Sequence, residues 1–89
     1  MEGFVYILQS EVNGHFYVGS TENVSRRLRQ HNVCNVVSTR NGRPYTLRLA
    51  QAYPSVEIAQ KVERHLKALK RRDYLERIVD EQKIRYLPT

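Results

Sequence analysis

The dipeptide Asn13-Gly14, placed between two short apolar runs, limits the possible folds of this 89-residue chain more than any other feature. Both central residues of a tight two-residue hairpin turn adopt positive φ, which asparagine and glycine tolerate. The run Phe4–Leu8 reads FVYIL and the run His15–Val18 reads HFYV, and both are rich in strand-forming residues. The pattern therefore predicts that the chain opens with an antiparallel hairpin.

A two-residue turn would also decide which side chains share a face of that hairpin. Val12 would pair with His15, so that Ser10 would lie opposite Tyr17. Because side chains alternate along a strand, Tyr6 would then project from the same face as Tyr17. A register slip of one residue would place the two tyrosines on opposite faces.

A helix is predicted directly after this hairpin. Gly19 is expected to end the second strand, and Ser20 or Thr21 is expected to cap a helix over residues 22–31 by accepting a hydrogen bond from its first turn. The helical period gives this segment one apolar stripe toward the core. The positions expected on that stripe are Val24 and Leu28.

The basic residues of this helix differ in their expected environment. Arg27 and His31 lie beside the apolar stripe, one helical turn apart, whereas Arg26 points away from it and is expected to be solvated. A guanidinium held at the edge of the core presents a rigid fork that suits phosphate oxygens. The alternative is an ordinary amphipathic helix with a half-buried histidine and no ligand.

The rest of the chain predicts one strand and two helices. Residues 32–44 hold Asn, Ser, Thr, Gly and Pro without periodicity and are interpreted as a loop. Residues 46–53 alternate as a strand, Ser55 caps the next helix, and a last helix is expected over residues 73–82. The positions expected to face the core are Leu47, Leu49, Gln51, Tyr53, Ala59, Val62, Leu66, Leu69, Leu75, Ile78 and Val79.

The order of elements, β-β-α-β-α-α, predicts an α+β fold with a small, three-stranded, mainly antiparallel sheet flanked by helices. At this length we expect one domain over residues 1–89. A small domain buries a limited share of its surface. We therefore expect a shallow cleft on a sheet or helix surface, and not a deep, closed cofactor pocket.

The charge balance favours a polyanionic partner. Fifteen Lys and Arg face nine Asp and Glu, for a net charge of +6 at pH 7. Nucleic acid is the first candidate and an anionic membrane surface the second, while solubility alone is the alternative. Cys34 is the single cysteine, which excludes a disulfide framework and a multi-cysteine zinc site. No signal peptide or membrane span is recognised, and a cytoplasmic location is expected.

Tyr6 and Tyr17 are the first candidates for chemistry. A phenol can orient a water molecule, or take its proton if nearby positive charge lowers the tyrosine pKa from about 10. The alternative is that each ring packs in the core and leaves only its hydroxyl at the surface. Gly19 also allows two interpretations, since it either lets the backbone approach a phosphate or simply ends a strand.

Glu63 is the one acidic residue that the pattern places near the core edge of a well-defined helix. A single carboxylate suits Mg²⁺ or Mn²⁺, which take oxygen ligands and keep several waters, far better than it suits zinc. The alternative is an i,i+4 ion pair with Lys67, worth a few tenths of a kcal/mol.

Taken together, these residues resemble the motifs of the GIY-YIG nuclease family in order and spacing. The matching positions are VYI at Val5–Ile7, YVG at Tyr17–Gly19, and Arg27, His31 and Glu63. The resemblance covers nearly the whole chain and is strongest to small, stand-alone bacterial members. The middle segment of those members is similar to Thr39-Arg40 and Gly42-Arg43-Pro44.

The resemblance implies metal-dependent hydrolysis of nucleic-acid phosphodiester bonds, with DNA as the expected substrate and repair or recombination as the expected setting. Tyr6 and Tyr17 would bind or activate the attacking water. Arg27 would stabilise the phosphate charge with help from His31. Glu63 would hold one divalent ion, Mg²⁺ or Mn²⁺.

A domain of this kind, with no separate DNA-binding module, is expected to bind its substrate through its own basic surface, weakly and with strong dependence on salt. The residues expected to contact the substrate are Gly19, Arg26, Arg40, Lys67 and Lys70. Two alternatives stay open. One is a nucleic-acid-binding module without useful turnover. The other is a nuclease subunit that cuts only when a protein partner supplies substrate specificity.

Overall fold

The computed structural model describes residues 1–33 and 41–88, and it has the predicted α+β order β-β-α-β-α-α. None of the helices in this part of the chain is long and apolar enough to cross a membrane. The strands are β1 (Gly3–Ser10), β2 (Phe16–Thr21) and β3 (Tyr45–Tyr53), and the helices are α1 (Val24–Asn32), α2 (Val56–Leu69) and α3 (Arg72–Glu81).

Strand β1 lies in the centre of the sheet, and both neighbouring strands run antiparallel to it in the order β2-β1-β3. This position explains why FVYIL is apolar at every residue rather than at every second one. Residues 5–8 are at most 1% exposed, so both faces of β1 are covered. A strand buried on both faces needs a continuous apolar run.

The hairpin turn is longer than predicted, and the strand register is therefore shifted by two residues. Leu8, and not Ser10, lies opposite Tyr17. The Ser10 backbone N–H donates to His15 O at 2.9 Å, which leaves residues 11–14 in the turn. The Ser10 hydroxyl holds this wider turn by accepting from the N–H groups of Val12 (3.1 Å) and Asn13 (3.2 Å). Because the shift is even, Tyr6 still shares a face with Tyr17.

Two further boundaries differ from the expectation. Strand β2 does not end at Gly19 but continues to Thr21, because it stays paired with β1 up to Phe4. Helix α1 is capped by Asn23 rather than by Ser20 or Thr21, since the Asn23 side chain accepts from the Arg26 backbone N–H at 3.0 Å. The extra strand residues change what Ser20 can do, because its side chain becomes part of the sheet.

The two faces of the sheet carry different helices. The main core lies on the side of α2 and α3, and it consists of Val5, Ile7, Val18, Leu49, Tyr53, Ala59, Val62, Leu66, Ile78, Val79 and Ile84. Helix α1 covers the opposite face, where His31 packs against Tyr6. The edge strand β2 therefore presents Tyr17 toward α1, and its neighbours Val18 and Ser20 toward α2.

Burial departs from the sequence pattern at several positions. Val24 and Leu28 are only half-buried, and His31, which was expected beside their stripe, is fully buried. Leu47 is 38% exposed because an irregularity between Ile7 and Leu8 pairs it with Leu8, on the α1 side of the sheet. The other predicted core residues that are not buried are Leu69, which is 37% exposed at the end of α2, and the half-buried Gln51 and Leu75.

Candidate active site

The Tyr6 hydroxyl is held inside the protein. Its oxygen lies 3.0 Å from His31 Nε2, and both side chains are at most 1% exposed. Gly19 lies opposite Tyr6 in the hairpin, and a Cβ at Gly19 would fall 2.5 Å from Tyr6 Cζ. Gly19 is therefore required for packing, because the Tyr6 ring fills the space that any larger side chain would need. Sequence reasoning did not recognise this requirement.

Burial keeps both partners of this hydrogen bond neutral. Desolvation, followed by the charge of Arg27, lowers the pKa of His31 to about 4, so the imidazole is uncharged at pH 7. Desolvation raises the pKa of Tyr6, against the opposing hydrogen bond from Arg27. Tyr6 is thus a poor proton acceptor in this environment, and His31 contacts a phenol rather than solvent.

Arg27 lies at the outer side of this pair. Hydrogen bonding toward the Tyr6 hydroxyl, with smaller effects of Tyr6 and Tyr17 charge, raises the pKa of Arg27. Arg27 Nη1 also donates to Gln30 Oε1 at 3.0 Å, one turn along α1. The side chain is half-buried, so a fixed positive charge faces two phenols at the edge of the sheet.

Tyr17 is a half-buried member of the aromatic group. Its ring meets the His31 ring edge-on at a centroid distance of 4.8 Å, and it lies 6.4 Å from the Tyr6 ring. The Tyr45 ring, between the predicted loop and the predicted third strand, completes the group with its centroid 6.3 Å from that of the His31 ring. Asn32 anchors the end of α1 by accepting from the Tyr45 N–H at 2.6 Å.

Glu63 lies on the other side of β2, on the core flank of α2. Its Oε1 accepts from the Ser20 hydroxyl at 2.5 Å, and its Oε2 is 2.7 Å from Lys67 Nζ. The Glu63 side chain is 20% exposed, and that of Lys67 is 46% exposed. Sequence reasoning missed Ser20 as a partner of Glu63. The available signal was strand alternation, which puts Ser20 on the same face as Val18 once β2 extends past Gly19.

The two groups of residues meet around the edge of β2. Lys67 Nζ lies 5.3 Å from the centroid of the Tyr17 ring while it contacts Glu63. The Glu63 carboxylate is also close enough for its charge to oppose ionisation of Tyr6. Tyr6, Tyr17, Arg27 and His31 therefore form one cluster on the α1 side, and Ser20, Glu63 and Lys67 form a second cluster that touches it.

The second cluster has the chemistry of a site for a hard divalent cation. Glu63 is a single, partly exposed carboxylate, and the described residues contain no group of three His, Cys, Asp or Glu that would form an all-protein cage. Magnesium is commonly held by one or two carboxylates and completes its shell with water and phosphate oxygens. The residues present fit that mode of binding, provided that Lys67 moves away from Oε2.

The remaining predicted substrate contacts are spread more widely. Arg26 is exposed on the outer surface of α1, away from Tyr6. Lys70 is the left-handed C-cap of α2, with φ of 51°, and lines a groove that begins at Tyr17 and Lys67. Arg40 lies outside the described residues.

Comparison with known proteins gives a family for this arrangement. A family model described as the GIY-YIG catalytic domain matches residues 2–76. The UPF0213 protein BH0048 of Halalkalibacterium halodurans is 37% identical over 73 residues, which cover 81% of this chain and 77% of that protein. The solution NMR structure of the UPF0213 protein BH0048 from Bacillus halodurans is similar with a TM-score of 0.57 at 32% identity, over 92% of this chain and 87% of that chain.

Proposed function

Because the chain belongs to the GIY-YIG family of nuclease domains, we propose that it is a divalent-metal-dependent endonuclease that hydrolyses phosphodiester bonds of DNA in repair or recombination. GIY-YIG nucleases generally use a divalent metal ion. The net charge of +6 is consistent with a polyanionic substrate.

One observation carries the proposal. A single ammonium, that of Lys67, lies 2.7 Å from the Glu63 carboxylate and 5.3 Å from the centroid of the Tyr17 ring. The carboxylate and the Tyr17 phenol therefore lie along the same stretch of the β2 edge, although they belong to opposite faces of the sheet. A phosphodiester at this edge would face a fixed guanidinium on one side and a carboxylate on the other.

In this proposal Arg27 binds the reacting phosphate. Its hydrogen bond to Gln30, and its place beside the two phenols, orient the guanidinium before substrate arrives. Donors that are already oriented toward the developing charge need little reorganisation in the transition state. The planar fork of Arg27 also suits two phosphate oxygens at once.

The two tyrosines take different roles. Tyr17 is half-buried, so its hydroxyl is the one that can orient the attacking water. Tyr6 is 1% exposed and has a raised pKa, so it positions Arg27 and Tyr17 instead of accepting a proton from bulk water. His31 holds the Tyr6 hydroxyl in turn.

Glu63 would hold the divalent ion, with Ser20 fixing one carboxylate oxygen and Lys67 released from the other. The bound ion would supply Lewis-acid stabilisation of the phosphate charge and of the leaving oxygen. Lys67 would then be available to contact a neighbouring phosphate of the substrate.

The experiment that tests this function compares Glu63→Gln with wild type on plasmid, single-stranded and branched DNA, with Mg²⁺, with Mn²⁺ and with a chelator. We expect cleavage only with metal, and none by Glu63→Gln. Glu81→Gln is the matched control, because Glu81, at the end of α3, also pairs with a cation four residues later, Arg85. Binding of DNA should persist in all three proteins.

Equal cleavage by Glu63→Gln and wild type would contradict the metal assignment. If no substrate gives metal-dependent products, but the protein clearly shifts the gel mobility of DNA, the chain is a nucleic-acid-binding module. Cleavage that appears only when a second protein is added would identify a partner-dependent nuclease subunit.

A further inference from the structure

An open groove of about 450 Å³ runs along β2 toward the junction of α2 and α3. We call it the β2 groove. It shares Tyr17 and Lys67 with the candidate active site, and it continues from there to Lys70 and Arg71. None of the described residues that line it is acidic.

The floor of the β2 groove is apolar, and Arg72 contributes to its wall. Phe16 and Leu75 contribute to the floor. The Arg72 guanidinium lies 4.8 Å from the centroid of the Phe16 ring and donates to Gly14 O at 3.0 Å and to Glu76 at 3.1 Å. Arg72 therefore joins α3 to the hairpin on this side of the groove.

The rim of the groove carries cations that are available to a ligand. The Lys70 side chain is exposed, and it makes no hydrogen bond or ion pair with another side chain in the ranges 1–33 and 41–88. Arg71 pairs with Asp73 at 2.7 Å, but both side chains are more than 60% exposed, and such surface pairs exchange partners at little cost. An anion on Lys70 and Arg71 would therefore displace no buried interaction.

We propose that the β2 groove binds the nucleic-acid strand that continues from the cleaved linkage, on one side of the cut only. Phosphates contact Lys70 and Arg71, and a sugar or base edge lies against Phe16 and Leu75. This inference rests on the proposed function, because the groove begins where Tyr17 and Lys67 would meet the reacting phosphate. It adds the path of the substrate and the residues that follow it.

Nucleic acid suits this groove better than an acidic peptide does. An acidic peptide would use the cations of the groove, but its carboxylates would gain nothing from the apolar floor at Phe16 and Leu75. A strand of nucleic acid supplies regularly spaced charges together with flat apolar surfaces, which matches cations above an aromatic floor.

The binding test uses the double variant Lys70→Ala/Arg71→Ala in Glu63→Gln protein, so that no substrate is cut. Its matched control is Lys61→Ala/Arg64→Ala, which removes the same charge from the opposite flank of α2, where these residues line a different cavity with His65 and Tyr86. Fluorescence anisotropy measures the Kd for a labelled 20-nucleotide oligonucleotide as a function of salt. All four substitutions remove exposed side chains, and thermal unfolding checks the fold.

We expect the groove variant to bind about tenfold more weakly at low salt, with a smaller slope of log K against log salt, because two phosphate contacts are lost. The control variant should change the Kd by less than about twofold, since its contribution is only long-range attraction. Equal losses in the two variants would overturn the proposal. The proposal would also be overturned if polyglutamate of equal charge displaced the labelled oligonucleotide as effectively as unlabelled DNA does.

The second measurement locates the strand. Oligonucleotides shortened stepwise from the 5′ end or from the 3′ end of the cut position are cleaved by the groove variant with Glu63 intact, and by wild type. Wild type should have a higher kcat/KM than the groove variant on the full-length oligonucleotide. Shortening one end should lower the kcat/KM of wild type to that of the groove variant. Shortening the other end should leave the difference in kcat/KM between the two proteins. A difference in kcat/KM that persists when either end is shortened would overturn the proposal.

These measurements separate the two levels of inference. If wild-type protein cuts no substrate, the proposed function is wrong, but the anisotropy data still test whether the groove binds nucleic acid. If wild type cuts with metal and the groove variant binds and cuts like the control variant, the proposed function holds and the proposed role of the groove is wrong.

Discussion

The two clusters that meet at the edge of β2 are built in opposite ways. On the α1 side, Tyr6 and His31 are buried and hydrogen-bonded to each other. Arg27 lies beside them and donates a hydrogen bond to Gln30. On the α2 side, the Glu63 carboxylate is partly exposed and is shared between Ser20 and Lys67. The first cluster is a fixed arrangement of polar groups, and the second is a site whose partners can be exchanged.

For the proposed nuclease, this difference assigns separate roles to the two clusters. Under the proposed function, the fixed cluster would supply donors that need no rearrangement when charge develops on phosphate. The exchangeable cluster would supply the place where a cation and water enter, since exposed ion pairs are replaced at small cost. Substitutions on the α1 side should therefore affect catalysis and stability, whereas those on the α2 side should affect metal binding.

The largest effect is expected at Arg27. Arg27→Ala should lower kcat by about 10²–10³-fold, because one oriented donor to the transition-state charge is lost. Arg27→Lys should restore little, since an ammonium lacks the planar fork. Steady-state cleavage assays measure both, with Arg29→Ala, an exposed cation of the same helix, as the control. If Arg29→Ala and Arg27→Ala lost the same activity, the α1 cluster would not be part of the active site.

His31 predicts an effect of pH on stability. Its pKa of about 4 lies below the ordinary value of 6.5, so the unfolded state takes up protons first as the pH falls. Stability from this group is complete above about pH 6.5, decreases as the pH falls toward 4, and then levels off. The total loss is about 3 kcal/mol in free energy of unfolding.

Urea unfolding between pH 7 and pH 4 measures this loss, and His31→Gln isolates it because glutamine keeps a hydrogen-bonding side chain without the titration. The pH dependence of His31→Gln should be flatter than that of wild type. His15→Gln, at an exposed position, should leave the pH dependence unchanged. Identical curves for wild type and His31→Gln would show that His31 is not buried in neutral form.

A smaller effect is expected at Ser20, the residue that orients Glu63. Ser20→Ala should weaken Mn²⁺ binding about tenfold, as is typical when a partner of a ligating carboxylate is removed. Ser20→Thr, which keeps the hydroxyl, should restore most of the affinity, and Ser25→Ala, exposed on α1, should leave it unchanged. Isothermal titration with Mn²⁺ is the measurement. Unchanged affinity in Ser20→Ala would mean that this hydrogen bond is only structural.

Much of the fold followed from local sequence patterns. The order β-β-α-β-α-α and the three strands could be predicted because each element has its own turn or cap residues. The shared face of Tyr6 and Tyr17 was also correct, although the register was wrong by two residues. Side-chain alternation has a period of two, so an even error moves the pairing and leaves the faces intact.

Other features depend on contacts between distant parts of the chain. The wider hairpin turn is held by the Ser10 hydroxyl, which also donates to Gly42 O. The full burial of His31 depends on how the short helix α1 docks on Tyr6. The hydrogen bond from Ser20 to Glu63 joins residues that are 43 positions apart in the sequence. Patterns within a single segment cannot reveal such contacts, because they arise only when the segments pack together.

The most direct test of the meeting of the two clusters is a paramagnetic NMR measurement with Mn²⁺. Mn²⁺ added to wild-type protein should broaden the ring resonances of Tyr17 and the amide resonance of Ser20, and Glu63→Gln should abolish both effects. This result would place the metal beside the phenol at the edge of β2, independently of any cleavage assay. Broadening that persists in Glu63→Gln, or that appears at residues remote from Tyr17, would contradict the account.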